Sequence, residues 1–237
     1  MRTGSNDFIP TQCLALDKAL RGGIPLGQVT LVYGESKTGK TTLAIQCSVS
    51  CARRGLKALF IDADHTFFPA RLSQIAPNDL DTVSPDILIF RLESFVEQSA
   101  LMERLDSYAT KGVGMVVVDT VTSLYRAGLG VEGEPFRLNR ELNRQLAYLT
   151  QTAKTRGVAV LITSQVHTIP AGEGSSGRVE PVATRVLRYW AENILRLGVA
   201  PRPRLREARV ERIFGRDTEG ASCYFLLDEN GVSNVEL

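Results

Sequence analysis

The chain reads as an α/β protein: a mainly parallel, twisted sheet flanked by helices, with antiparallel strands at its C-terminal end. Short apolar runs alternate with longer helical patterns, the signature of successive βαβ units. A glycine-rich GESKTGKT stretch lies between the first long apolar run and the helical pattern that follows it. Beyond Pro201, paired breakers (Pro201 and Pro203, Gly215 and Gly220) bound two further strand patterns.

The apolar runs predict strands at Val29 to Tyr33, Ala58 to Asp62, Ile87 to Leu92, Met115 to Asp119 and Val158 to Thr163. Between them, Thr41 to Arg53, Pro69 to Ala76, Phe95 to Thr110 and Phe136 to Arg156 carry helical spacing. In the last of these, Leu138, Leu142, Leu146, Leu149 and Ala153 recur three or four residues apart, so one face is core. Ile169 to Val182 is rich in Gly, Ser and Pro and lacks apolar periodicity, so a mobile loop is expected. Leu205 to Phe214 and Ser222 to Leu227 complete the set as antiparallel strands.

With 237 residues, 43% of them hydrophobic, the chain can fill the core of one domain spanning 1–237. The first dozen residues lack the apolar run of a signal peptide and no segment is long and apolar enough to span a bilayer, so a cytoplasmic protein without a membrane partner is expected. Cys13, Cys47, Cys51 and Cys223 have no CxxC spacing and read as buried thiols rather than a zinc site. The net charge of +2 is unevenly spread. Arg178 to Arg216 contains ten Arg and four Glu, a local +6, which hints at a polyanionic partner.

Gly34, Glu35, Ser36, Lys37, Thr38, Gly39, Lys40 and Thr41 match GxxxxGK[ST], directly after a predicted strand and before a predicted helix, with Thr42 next in line. The glycines let backbone N–H groups turn inward around an anion, and the helix N-terminus adds partial positive charge. Lys40 then reaches the β and γ phosphates of a nucleoside triphosphate, and the Thr41 hydroxyl serves Mg²⁺. The run Met115 to Asp119 ends in the second carboxylate such a site needs, with Asp119 holding the metal through water. In FIDADHTFFPARL, Asp62, Asp64 and His65 suggest a metal site, an acid/base pair, or a strand end before a helix start. A strand through Asp64 would put both carboxylates on one face, but Thr41 and Asp119 already account for magnesium.

These motifs resemble the RecA/RadA recombinase superfamily. The lead-in from Ile9 to Gly27 is similar to the superfamily's, as is the spacing from FIDADHTFFPARL to VVVDTVTSLYRAGLG to LITSQV. Among archaeal-type members the chain looks most like RadA and its shorter paralogue RadB. RadA-type recombinases carry a helical N-terminal domain and a linker motif, whereas only eight residues precede Ile9, so a RadB-like core ATPase is expected.

The resemblance implies a RecA-like P-loop fold, with lead-in 1–27, nucleotide-binding core 28–168, a mobile DNA-binding loop 169–185 and C-terminal strands 186–237. It implies ATP and Mg²⁺ as cofactors, with DNA, single-stranded or branched, and a RadA-type recombinase as partners; homo-oligomerisation stays open. Lys40, Asp64 and Gln165 become catalytic candidates. Gln165 matches a glutamine that senses the γ-phosphate, and Asp64 stands where recombinases carry the glutamate that orients the attacking water. Aspartate is one methylene shorter, so weak, DNA-dependent ATP hydrolysis is expected. Arg71 matches an arginine that stacks on adenine.

Two loops would face DNA: Arg126 to Pro135, with Glu132 and Glu134, and Ile169 to Arg185, whose cations are Arg178 and Arg185. Neither is strongly basic, so DNA affinity should draw on the Arg-rich segment, with Arg202, Arg204 and Arg206 in a stripe if a strand starts early enough. The alternative is a KaiC-like signalling ATPase acting on protein partners without DNA. KaiC-type domains show adjacent glutamates after the second strand, which Ala63 and Asp64 do not supply. A hexameric helicase motor would need an arginine finger that the sequence does not identify.

Overall fold

A computed structural model describes residues 7–129, 135–169 and 178–235, with backbone alone at 168, 169 and 178. The lead-in comprises β1 (Phe8–Ile9), α1 (Leu14–Ala19) and β2 (Ile24–Pro25), with β1 and β2 paired antiparallel. β3 (Val29–Gly34), α2 (Lys40–Ala52), β4 (Lys57–Asp62), α3 (Pro69–Ile75), α4 (Leu80–Val83) and β5 (Ile87–Arg91) follow. Next come α5 (Phe95–Glu103), α6 (Leu105–Tyr108), β6 (Val113–Asp119), α7 (Ser123–Gly128), α8 (Pro135–Arg156) and β7 (Ala159–Ser164). The remainder is β8 (Val166–Ile169), β9 (Arg178–Pro181), α9 (Thr184–Trp190), β10 (Asn193–Val199), β11 (Leu205–Ile213), β12 (Arg216–Asp217), β13 (Ser222–Asp228) and β14 (Gly231–Asn234).

The main sheet runs β14-β13-β11-β10-β3-β7-β6-β4-β5, with β12 paired to β11. From β10 to β5 every neighbouring pair is parallel; from β10 to β14 every pair is antiparallel. Both faces are covered, because alternate side chains of each central strand enter different cores. Phe60 and Val117 join Leu43 and Ile45 of α2 on one face, while Ile61 and Val118 join Leu142 and Leu146 of α8 on the other. The α8 stripe is buried as its spacing requires: Leu138, Leu142, Leu146, Leu149 and Ala153 all face the sheet-side core. No helix among the described residues is long and apolar enough to cross a membrane.

Three expectations change. The helix expected over Phe95 to Thr110 is two, because the backbone turns at Arg104 (φ −99, ψ 3). The loop expected over Ile169 to Val182 is bounded by a hairpin, with Val166 opposite Pro181 and His167 opposite Glu180; residues 170–177 lie outside the described residues. The strand expected over Ala58 to Asp62 does end at Asp62, so Asp64 lies beyond it. The arginine stripe does not form: Arg202 and Arg204 lie in a turn before β11, with Arg204 at φ +61, and Arg206 alone is on the strand. Pro201 and Pro203 have no N–H to offer a ladder, which delays the strand.

Candidate functional site

β3 delivers the phosphate loop and α2 begins as it ends. Gly39 takes the left-handed conformation at the N-cap of α2 (φ +100), and Lys37 is also left-handed (φ +64). Gly34 is required by close approach, since a Cβ there would lie 2.3 Å from the Leu197 carbonyl oxygen of β10. Thr38 donates to the Glu35 carbonyl at 2.8 Å, which closes the loop on itself. Lys40 Nζ donates to the Gly34 and Glu35 carbonyls at 2.9 and 2.8 Å, so its ammonium is folded back across the loop. Burial pulls Lys40 below its ordinary pKa, with Asp119 and Asp64 opposing the shift.

Asp119, fully buried at the end of β6, is held by three hydroxyls. Thr41 donates to its Oδ2 at 2.7 Å, Thr66 to the same oxygen at 3.2 Å, and Thr163 of β7 to Oδ1. Burial pushes the Asp119 carboxyl up, and the hydroxyls of Thr163, Thr41 and Thr66 pull it back. The Thr41 hydroxyl and the Asp119 carboxylate are hard oxygen donors, a set suited to Mg²⁺ shared with phosphate oxygens. Among the described residues no group of three or more His, Cys, Asp or Glu could hold a metal on its own, so a cation here would take its other ligands from nucleotide or water.

Asp62 and Asp64 diverge. Asp62 is buried and accepts from the Thr66 and Phe67 amides at 2.9 and 3.1 Å, fixing the loop that enters α3. His65 contacts the Leu92 carbonyl at 3.0 Å, away from both carboxylates. Asp64 Oδ2 instead accepts from Gln165 Nε2 and Thr120 Oγ1, both at 3.3 Å, and Gln165 Oε1 accepts from Arg126 Nη1 at 2.9 Å. A cleft of about 590 Å³ joins these groups: Ser36, Lys40, Thr41 and Thr42 line one part, and Asp64, Thr120, Gln165 and Arg126 another.

Arg71 lies beside the cleft. Its guanidinium donates to the Asp228 and Glu229 carbonyls at 2.7 and 2.6 Å and to Thr42 Oγ1 at 3.3 Å. Burial lowers its pKa, with Asp228 and Glu229 opposing. These bonds tie α3 to the β13–β14 turn and to the helix that follows the phosphate loop.

The other basic candidates are scattered. Arg206 donates to the Lys37 carbonyl at 3.0 Å and so braces the phosphate loop from outside. Arg185, with His167 and Thr184, lines a separate hollow of about 420 Å³ beside the hairpin. Arg178 begins β9, and Glu132 and Glu134 lie outside the described residues. Arg188 pairs with Glu211 at 2.6 Å, a carboxylate already counted in the local +6, and Arg212 pairs with Asp217 at 2.7 Å, which lies just outside that segment and offsets one of its charges. The sequence reading missed Thr66, Thr120 and Thr163; their only signal was position, one hydroxyl near the end of each strand that borders the cleft. Arg126, expected at the start of a DNA loop, lies in α7 with its side chain in the cleft wall.

The family model described as Rad51 matches residues 7–235. A "DNA repair and recombination protein RadB" of Methanococcoides burtonii is 32% identical over 94% of this chain and 96% of its own length. Another with the same description, from Thermococcus kodakarensis, is 35% identical over 97% of this chain and 100% of its own. A solved structure described as "Crystal structure of the RadB recombinase" superposes with a TM-score of 0.80 at 32% identity, covering 96% of this chain and 100% of that one.

Proposed function

The chain belongs to the Rad51 family, and on that premise we propose that it is a DNA repair and recombination protein of the RadB type, working as one ATPase domain. Its proposed task is to bind ATP with Mg²⁺ and DNA, to act beside a RadA-type recombinase, and to hydrolyse ATP slowly. The observation that supports this most is the single cleft shared by the phosphate loop, Asp64 and Gln165. The relatives' descriptions favour recombination over the KaiC-like alternative.

In this reading Lys40 leaves the Gly34 and Glu35 carbonyls for the β and γ phosphates, and the inward N–H groups of the loop take the remaining oxygens. Thr41 and Asp119 would hold Mg²⁺, which supplies charge neutralisation at the phosphates when bound. Asp64 orients the attacking water and accepts its proton as the new bond to the γ-phosphorus forms and the bond to the β–γ bridging oxygen breaks. Thr120 and Gln165 hold that carboxylate from the side. A short aspartate keeps the base distant, and displacement on the order of 1 Å costs roughly a hundredfold in rate, so ATP serves more as a bound switch than as fuel.

An ATPase assay with and without single-stranded DNA tests the proposal. Feeble wild-type turnover should vanish in Lys40→Ala and rise in Asp64→Glu; equal or lower activity in Asp64→Glu contradicts the assigned role. Filter binding to single-stranded DNA across a salt series tests the partner, and no retention even at low salt rejects the recombination reading.

A further inference from the structure

Arg126 belongs to the last turn of α7, yet its side chain lines the cleft together with Lys37 and Lys40, the other two cations that do so among the described residues. Its partner is informative. Gln165 stands between a group that only donates, Arg126, and a group that only accepts, Asp64. One orientation of the amide satisfies both: oxygen toward Arg126, nitrogen toward Asp64. Arg126 therefore sets which end of the amide the carboxylate meets.

We propose that Arg126 is a phosphate-reading residue that binds the terminal phosphate of the nucleotide by exchanging it for the oxygen of Gln165. The inference rests on the phosphate-site reading above and adds a residue and a discrimination to it. A guanidinium presents five N–H groups in a planar fork that matches two phosphate oxygens at once, and a charged acceptor outcompetes a neutral amide oxygen. Lys40 comes from α2 and Arg126 from α7, and both line the same cleft, so two separate elements offer it a cation. A diphosphate lacks the terminal oxygens that would draw Arg126 from Gln165, and the link then persists. Once released, Gln165 has a free acceptor oxygen, and its own backbone carbonyl accepts from Val182 N at 3.0 Å, where β9 has just ended. Exchange at Arg126 thereby reaches two chain segments, α7 and the β8–β9 hairpin, by a side-chain step of one hydrogen bond.

The test compares wild type, Arg126→Ala, Arg126→Lys and Lys40→Ala by equilibrium titration with fluorescent ADP and a fluorescent non-hydrolysable ATP analogue, alongside retention of single-stranded DNA without nucleotide. Arg126→Ala should bind the ATP analogue about tenfold or more weakly, as expected for loss of a charged hydrogen bond, with ADP affinity unchanged and Arg126→Lys intermediate. Equal weakening of both nucleotides overturns the proposal, since it reports a general disturbance of the cleft. Unchanged affinity for both also overturns it, and a parallel drop in DNA retention would assign Arg126 to DNA instead. If wild type binds neither nucleotide, or Lys40→Ala binds as well as wild type, the phosphate-site reading itself fails and takes this inference with it.

Discussion

Asp62 accepts two backbone hydrogen bonds at the entrance to α3, whereas Asp64, two residues on, reaches Gln165 and Thr120 in the cleft. The substitutions should therefore separate. Asp62→Ala leaves the buried Phe67 amide unpaired and should cost roughly 1–3 kcal/mol of stability in urea melts. Asp64→Ala should leave stability nearly unchanged and remove residual ATP turnover; the reverse pattern would exchange their roles. The thiols give a pH dependence of definite sign. Burial pushes Cys51 up to about 12 and Cys223 up to about 11, and Cys47 is raised for the same reason. The unfolded chain, with thiols near their ordinary value of about 8.5, loses protons first as pH rises. Their contribution to stability is complete below that value and falls above it by up to about 1.4 kcal/mol per pH unit for buried Cys47 and Cys51, and by less for Cys223, which solvent partly screens. Urea melts at neutral pH and at successively higher pH check this, and native Cys47 and Cys51 should resist thiol reagents until the protein unfolds.

At the scale of elements, the helix α8 depends on a stripe that the sequence already displays, and Leu146→Ala within it should cost about 2–5 kcal/mol. Gly34→Ala should cripple the phosphate loop for a different reason: the added methyl meets the Leu197 backbone, which no side-chain rotation relieves. Circular dichroism with nucleotide titration distinguishes the two, since the first loses stability and the second loses binding. Legibility follows the same division. The phosphate loop, Asp119 and the five central strands were readable because each is specified by neighbours in sequence. β10 was not, because it follows α9 closely and begins with buried Asn193, which donates to Gln28 and accepts from the Phe214 amide. Nothing around Arg104 punctuates the chain, so the break between α5 and α6 was also hidden. The arginine stripe failed because charge and spacing alone do not reveal where a ladder starts. The contact of Arg126 with Gln165 was not readable, because the two are 39 residues apart in sequence.

Across the whole molecule, one buried amide joins the lead-in, the phosphate-loop helix and the final strand. Gln46 of α2 donates to the Thr11 and Val232 carbonyls at 2.7 and 2.8 Å and accepts from the Val232 amide at 2.7 Å. Gly231 leaves room for it, since a Cβ there would lie 2.3 Å from Gln46 Oε1. Gln46→Leu strands the buried Val232 N–H and two carbonyls, each worth roughly 1–3 kcal/mol when left unpaired, so a clear fall in the urea midpoint is expected, with weakened ADP binding as α2 loosens. An unchanged midpoint would show that the three segments hold together without it. The clasp also has a bearing on synthesis. Chains are made from the N-terminus and contacts distant in sequence form late. The helix that follows the phosphate loop is braced by a strand that leaves the ribosome more than 180 residues after it. A nascent chain can thus carry the entire phosphate motif while the helix behind it is still unbraced, and the clasp closes only once the strand bearing Val232 has been made.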